Sequence, residues 1–389
     1  MRSDQEPFSL YVHIPYCVSK CPYCDFNSHV VPEIPEKSYT EALIAEIEYY
    51  AGLSDWLGKP IQSIFFGGGT PSTFHSDSIG RILESAAFRW TLVPDCEITL
   101  EANPGTIDDA NLFGYRACGV NRISLGVQSF QPQILKFLGR IHSADQARKA
   151  LDTVRHAGFN NFSLDLIYAN PGQSLRDLEA DLSEALAFQP PHLSAYNLTF
   201  EEGTPFHQEY RAGRIKSLGD EEEIAMAVFI EEKLRAAGLQ RYEISNYARP
   251  GAHSRHNVNY WRGGDYLGLG AGAHSYKRSD GKPVFGTRWS NEKNPGRYMQ
   301  LVRDSGSATV NQEEIDRAKA AGEFMFMGLR MIEGVSPQVF SSRFGPAPRS
   351  FYPQIENWLE GELMEEKNGY LRLTHRGLLL ANSIFADLV

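Results

Sequence analysis

Short runs of β-branched and aromatic residues alternate, along the first half of the chain, with stretches whose apolar positions recur every three to four residues. Ser9–Ile14 (SLYVHI) is short, rich in β-formers and stopped by Pro15, which predicts a strand. Tyr39, Leu43, Ile44, Ile47 and Tyr50 then follow helical spacing and predict an amphipathic helix. The alternation returns with strands at Ile61–Phe66, Cys96–Glu101, Arg122–Val127, Asn161–Ile167 and His192–Thr199. Helices are expected between them at Ser76–Phe88, Asp108–Cys118, Pro132–Leu138, Ala144–Ala157 and Leu175–Ala187. Six strands separated by helices predict parallel pairing with right-handed crossovers.

A doubly wound sheet and a barrel-like array both satisfy that pattern, and the unusual residues separate them. A three-cysteine loop follows the first strand, and Gly67-Gly68-Gly69 stops the second. Glu101 ends the third, Gln128 follows the fourth, and Asp165 sits late in the fifth. All lie at the C-terminal rim of the strands, where βα loops build the site of a barrel enzyme. A doubly wound sheet would gather them at one switch point. The expected fold is therefore α/β, a partial (β/α)6 barrel with a smaller, mostly helical C-terminal domain.

Beyond Thr199 the pattern loosens. A helix is expected around Glu221–Ala237, a strand at Tyr242–Ser245, and then a glycine- and aromatic-rich segment, Asn246–Tyr276. From about Asn311 the chain reads as helical. Its end, Gly369–Thr374 followed by a helix from His375, reads as the wing and last helix of a small winged-helix-like domain. The expected division is a barrel over 1–200, an accessory segment over 201–305, and the helical domain over 306–389.

Composition narrows the class. The 389 residues carry 38 Lys+Arg against 48 Asp+Glu, a net charge of −10, with 42% hydrophobic residues, which excludes a disordered or collagen-like chain. The acidic balance argues against a nucleic-acid partner. Met-Arg-Ser-Asp-Gln-Glu-Pro at the start lacks the basic-then-apolar pattern of a signal peptide. The longest apolar stretch, Leu378–Val389, is broken by Asn382, Ser383 and Asp387, so no transmembrane segment is expected. Five cysteines, Cys17, Cys21, Cys24, Cys96 and Cys118, are too few and too uneven for a disulfide scaffold. The reading is a cytoplasmic protein, with transient membrane contact and oligomer formation both left open. Cys96 and Cys118 read as small buried hydrophobes.

Cys17-x3-Cys21-x2-Cys24 puts three thiols in one loop. Structural zinc takes four protein ligands, and only His29 stands near as a fourth. Three thiolates suit a [4Fe–4S] cluster with one iron open to a further ligand, although zinc and chance clustering also fit the spacing alone. The surrounding stretch, Tyr11-Val-His-Ile-Pro-Tyr-Cys17-Val-Ser-Lys-Cys21-Pro-Tyr-Cys24-Asp-Phe26, resembles the cluster loop of radical S-adenosylmethionine (SAM) proteins. The resemblance implies that the three cysteines hold the cluster and that SAM chelates the open iron. It also implies SAM contacts at Tyr11, Tyr23, Gly68, Gly69 and Thr70, a ribose grip at Glu101, and polar rim positions at Gln128, Arg140 and Asp165.

Within that superfamily the chain resembles the oxygen-independent coproporphyrinogen III oxidase-like branch. The oxidases carry a fourth cysteine two residues after the third, and here Phe26 stands there. His256-Asn257-Val258-Asn259-Tyr260-Trp261, followed by Gly268-Leu-Gly270-Ala-Gly272-Ala-His274, resembles the H-N-x-x-Y-W signature of the haem-chaperone branch. That resemblance implies haem as a third ligand, His256, Asn257, Tyr260 and Trp261 as its contacts, and recipient haemoproteins as partners. Imidazole is an axial ligand of haem iron and the aromatics offer flat faces. Judged by residue type alone, a lone histidine among aromatics is more often a hydrogen-bonded core residue, and His253, His274 and His13 are rivals. The implied function is a haem chaperone that binds haem, a [4Fe–4S] cluster and SAM. The alternative is a coproporphyrinogen III oxidase, against which Phe26 counts.

Overall fold

The computed structural model describes residues 6–279 and 283–388. Met1–Gln5, where the absence of a leader pattern was read, and Val389, the end of the apolar tail, lie outside them.

Six parallel strands form the centre of the molecule: β1 (Phe8–Ile14), β2 (Ile61–Gly68), β3 (Leu92–Ala102), β4 (Arg122–Gln128), β5 (Phe162–Tyr168) and β6 (His192–Asn197). Each pairs with the next in chain order. The crossovers are α1 (Glu36–Ala51), α2 (Ser76–Arg89), α3 (Asp109–Ala117), α4 (Pro132–Phe137) with α5 (Ala144–His156), and α6 (Leu175–Ala187). Capping boxes start two of them: Ser143 with Gln146 opens α5 and Ser174 with Asp177 opens α6. Strands covered on both faces read as nearly continuous apolar runs, and β1 is buried at six of its seven positions. Its Phe8, Leu10, Val12 and Ile14 join Ile64, Phe66, Leu100 and Leu164 in the main core. Burying each such side chain contributes about 1.5–3 kcal/mol of transfer free energy.

The sheet does not stop at the six strands. After α7 (Pro205–Arg211) and α8 (Asp220–Ala236), β7 (Gln240–Arg241) and β8 (Asn246–Ala248) form a hairpin on β6. Beyond α9 (Arg255–Trp261), β9 (Tyr266–Leu269) pairs parallel with β1 on the opposite edge. The antiparallel strands β10 (His274–Arg278), β11 (Gly286–Asn291) and, after α10 (Pro295–Ser305), β12 (Thr309–Ile315) continue outward from it. Among the described residues the sheet thus has twelve strands.

Two expectations are corrected here. Tyr242–Ser245 has strand-forming composition but is the turn between β7 and β8, because Tyr242 N bonds Asn246 O and Ser245 N bonds Glu243 Oε1, closing the chain on itself. Thr309–Ile315, expected at the start of the helical region, is instead an edge strand that pairs with β11.

A second core begins at Ile315 and gathers Met325 of α11 (Arg317–Gly328), Phe340 and Phe344 of α12 (Pro337–Phe344), Trp358, Leu371 and Phe385. The hairpin Met364–Lys367 with Tyr370–Leu373, followed by the helices His375–Leu379 and Ala381–Ala386, completes this mostly helical unit.

One buried anchor fixes the β9–β10 connection to the barrel. Glu46 of α1 accepts hydrogen bonds from Gly270 N (2.9 Å), Tyr298 Oη (2.6 Å) and Asn291 Nδ2 (2.7 Å). Tyr39 Oη accepts from Ala271 N at 2.8 Å and donates to His13 O at 3.0 Å.

Candidate functional site

The cysteine loop leaves β1 at Pro15 and is closed at its neck, where Cys17 N bonds His29 O (3.0 Å) and His29 N bonds Pro15 O (2.7 Å). Its other wall is the glycine run after β2. A Cβ on Gly69 would stand 2.6 Å from Tyr16 O and 2.8 Å from Tyr16 N, so only glycine lets the two backbones approach this closely. Gly69 N and Thr70 N donate to Ile14 O and Tyr16 O, both at 2.8 Å, and Gly68 adopts φ +110°.

Cys17, Cys21 and Cys24 are half-buried and line one cavity of about 330 Å³. Thr70 Oγ1 donates to Cys17 Sγ at 3.3 Å, and Arg140 Nη1 donates to Cys21 Sγ at 3.4 Å. Burial pushes the thiols of Cys17 and Cys24 up. Donors aimed at the sulfurs favour the thiolate, the form that iron takes. Among the described residues no three His, Cys, Asp or Glu side chains converge to hold a single metal ion. The sulfurs of a cuboidal cluster each take a different iron and need not converge. The donor set therefore fits a [4Fe–4S] cluster.

The rest of the rim comes from strand ends, as the barrel geometry requires. Gly68, Gly69, Thr70, Glu101, Gln128, Arg140 and Asp165 all line the same cavity as the thiols, together with Tyr23. Gly68 N donates to Glu101 Oε2 at 3.2 Å. Burial first, and then the charge of Asp165, push the Glu101 carboxyl up to about 7. Asp165 accepts from Ser124 Oγ and Ser163 Oγ, each at 3.0 Å, yet burial still raises it. Arg140 reaches Tyr23 Oη (3.4 Å) and Gly126 O (3.0 Å), and also bonds Asn103 Oδ1. Gln128 holds φ +67°, an uncommon backbone state for a residue with a Cβ, at the end of β4.

Tyr11 is placed elsewhere. Its ring lines two neighbouring cavities, and its hydroxyl pairs with His13 Nδ1 at 2.9 Å. One of these cavities, about 190 Å³, lies inside the barrel between Arg122, Glu101, Asp165, His192 and His256. The other, about 560 Å³, opens between the β9–β11 edge and the helical unit. Phe26 is 59% exposed and lines both this large cavity and the cysteine cavity, so it stands in the wall between them.

The H-N-x-x-Y-W residues lie on α9 and divide between the two spaces. His256 is 1% exposed, with Nδ1 3.0 Å from Ser63 Oγ and Nε2 2.9 Å from Tyr260 Oη. Its ring stacks on Phe65 at 5.0 Å, and burial, followed by the charge of Arg122, lowers its pKa to about 3. Both nitrogens are thus engaged within the protein. Asn257 lines the inner cavity, Tyr260 lines both, and Trp261 lines the large one with the Arg330 guanidinium over its ring at 4.5 Å.

Several wall residues had no sequence signal. Asn103 links Thr70 Oγ1 (3.0 Å) to Arg140, and Asn27 bonds Ala271 O (3.0 Å) and Lys293 O (2.9 Å), tying the cysteine loop to the sheet edge. Arg343 and Lys293 enter the large cavity from segments far apart in the chain. Burial, and then the charges of Lys293 and Arg288, hold His274 below the ordinary histidine range.

Comparison with known proteins agrees with this arrangement. Residues 11–185 match the radical SAM superfamily, and residues 315–380 match the HemN C-terminal domain. Over 382 residues the chain is 37% identical to the heme chaperone HemW of Escherichia coli strain K12, covering 97% of each chain. It is 33% identical to the heme chaperone HemW of Bacillus subtilis strain 168, covering 97% of this chain and 98% of that one. It is 34% identical to the mitochondrial radical S-adenosyl methionine domain-containing protein 1 of Danio rerio, covering 98% of this chain and 86% of that one. The solved structure of coproporphyrinogen III oxidase HemN from Escherichia coli, a radical SAM enzyme, superposes with a TM-score of 0.83 at 23% identity, covering all of this chain and 91% of that one. The fold is therefore that of a radical SAM barrel with a HemN-type C-terminal unit.

Proposed function

The chain belongs to the HemW family of the radical SAM superfamily, and on that premise we propose that it is a haem chaperone which binds haem and delivers it to recipient haemoproteins. The observation that carries the proposal is the pairing of two spaces across one wall. The cysteine cavity has the donors for a cluster and SAM, and a larger aromatic cavity adjoins it through Phe26, Gly68 and Glu101.

Cys17, Cys21 and Cys24 would hold the [4Fe–4S] cluster, with Thr70 and Arg140 donating to the sulfurs. The Gly68–Thr70 run, Tyr23, Glu101, Gln128, Arg140 and Asp165 would hold SAM beside it. When bound, the cluster supplies one-electron reducing capacity and SAM supplies a sulfonium cation to a cavity whose lining includes the carboxylates of Asp25, Glu101, Asp165 and Glu201. Glu101 holds or releases a proton near neutral pH, so it can match the charge of its neighbour. Arg140 fixes the position of Cys21 and cannot be deprotonated. The protein is read as cytoplasmic, meeting recipients by surface contact or transiently at a membrane. Among the described residues no helix is long and apolar enough to cross one.

The rival reading, oxidation of coproporphyrinogen III, shares the fold, but Phe26 occupies the place of the oxidase's fourth cysteine, so the oxidase pattern is broken there. Anaerobic reconstitution followed by haemin titration separates the two. Micromolar haem binding without coproporphyrinogen turnover is expected. Failure to bind haem at that concentration would end the carrier reading, and turnover would end the chaperone-only reading.

A further inference from the structure

We propose that the haem iron is held by His274, with the macrocycle in the 560 Å³ cavity and its two carboxylates directed to Lys293 and Arg343. The inference rests on the haem-carrier reading and names its site. It differs from the expectation drawn from the H-N-x-x-Y-W segment, which placed the ligand at His256.

Available nitrogen decides the ligand. A metal-binding imidazole needs one ring nitrogen free to face the metal. His256 uses both, on Ser63 and Tyr260, and lines only the 190 Å³ inner cavity, below the roughly 300 Å³ at which ligand pockets begin. Two histidines line the large cavity. His13 uses both nitrogens, Nδ1 on Tyr11 Oη (2.9 Å) and Nε2 on Asn27 O (2.8 Å). His274 is exposed and has no side-chain hydrogen bond among the described residues.

The backbone holds His274 in place. It opens β10 directly after the loop anchored by Glu46 and Tyr39, where Asn291 N bonds Ala273 O at 2.9 Å. Alternation along β10 puts His274 and Tyr276 on one face, about 7 Å apart along the strand. Ser275 between them points to the other face and is 1% exposed. Tyr266 pairs with Tyr276 in register, and Phe324 and Met327 of α11 form the opposite wall. Two walls of flat or flexible apolar side chains suit a planar macrocycle.

Charge selects the rest of the ligand. The cavity holds three cations. Arg288 is taken by Glu323 (2.8 Å) and Glu313 (3.2 Å). Lys293 and Arg343 have no carboxylate partner among the described residues, while the Arg343 guanidinium lies over Phe324 and Phe344. Of the carboxylates on the wall, Glu323 is neutralised by Arg288, and Glu101 lies at the boundary with the cysteine cavity. Two cations without a carboxylate partner among the described residues, one of them Arg343 beside the Tyr276 hydroxyl, and an open imidazole match a dianionic metalloporphyrin.

Haemin and haemin dimethyl ester are titrated into the reconstituted full-length protein, with Soret absorbance and electron paramagnetic resonance as readouts. Wild type is expected to show imidazole-ligated haem. His274→Ala should lose that spectrum and bind about 10- to 100-fold more weakly, with added imidazole restoring the signal. His256→Gln with a native circular dichroism spectrum should retain it. A preference of about tenfold for haemin over its ester should vanish in Lys293→Ala/Arg343→Ala. An unchanged spectrum and affinity in His274→Ala would overturn the ligand assignment, as would loss of the imidazole signal in folded His256→Gln. Equal wild-type affinity for acid and ester would overturn the placement of the carboxylates. Absence of any wild-type binding would instead strike the carrier reading itself.

Discussion

Glu46 sits on α1 with no solvent exposure, and its carboxyl joins the barrel to the segment that carries His274. Burial raises its pKa from 4.5 to about 7, against the lowering effect of bonds from Tyr298, Gly270 and Asn291. Between those two values the folded protein keeps a proton that the unfolded chain releases. The associated stability is therefore complete below about pH 4.5 and is lost as the pH rises through about 7. At about 1.36 kcal/mol per unit, the shift amounts to about 3 kcal/mol. Glu101, Asp165, Asp181 and Glu243 shift in the same direction, so the pH curve of the wild type alone cannot isolate Glu46. Glu46→Gln removes the one titration and leaves the others, and the difference between the two proteins cancels the shared part. Urea unfolding across pH 4.5–8 at fixed ionic strength, with Trp56 and Trp90 of the main core as reporters, gives that difference. The variant should gain about 3 kcal/mol on wild type between the ends of the range. A difference that stays constant, or that moves toward the wild type as the pH rises, would refute the reasoning.

Two further results are expected. Serine at Cys17, Cys21 or Cys24 should abolish the brown cluster absorbance after reconstitution, while serine at Cys96 or Cys118, which line none of the three cavities, should leave iron content unchanged. Gly69→Ala forces a Cβ to within 2.6 Å of the Tyr16 backbone and should cost about 1–3 kcal/mol of thermal stability and weaken SAM binding measured by calorimetry. Gly105→Ala, whose new Cβ would meet nothing closer than 3.8 Å, serves as the tolerated comparison.

The six central strands were legible because each alternates with a helix long enough to show its apolar period. The sheet's extensions were not. β7, β8 and β9 have two, three and four residues, too few to display a period, and they form by pairing with edges that the sequence does not reveal. The cluster loop and its rim were readable from local spacing and strand ends. The state of His256 was not, because Ser63, which engages its Nδ1, lies 193 residues away. Lys293, Arg343 and His274 reach their common cavity from a loop, a helix and a strand, and no sequence spacing links them.

Glu101 borders all three cavities. A single proton on it is shared bookkeeping for every occupant around it. Whatever binds in the cysteine cavity and alters that protonation also alters the charge met by a molecule in the aromatic cavity. Linkage makes the effect reciprocal: if filling one space changes affinity in the other by some factor, filling the second changes the first by that factor too. A carboxylate in a common wall thus offers a route by which occupancy of one space can be felt in the other without any strand or helix having to move.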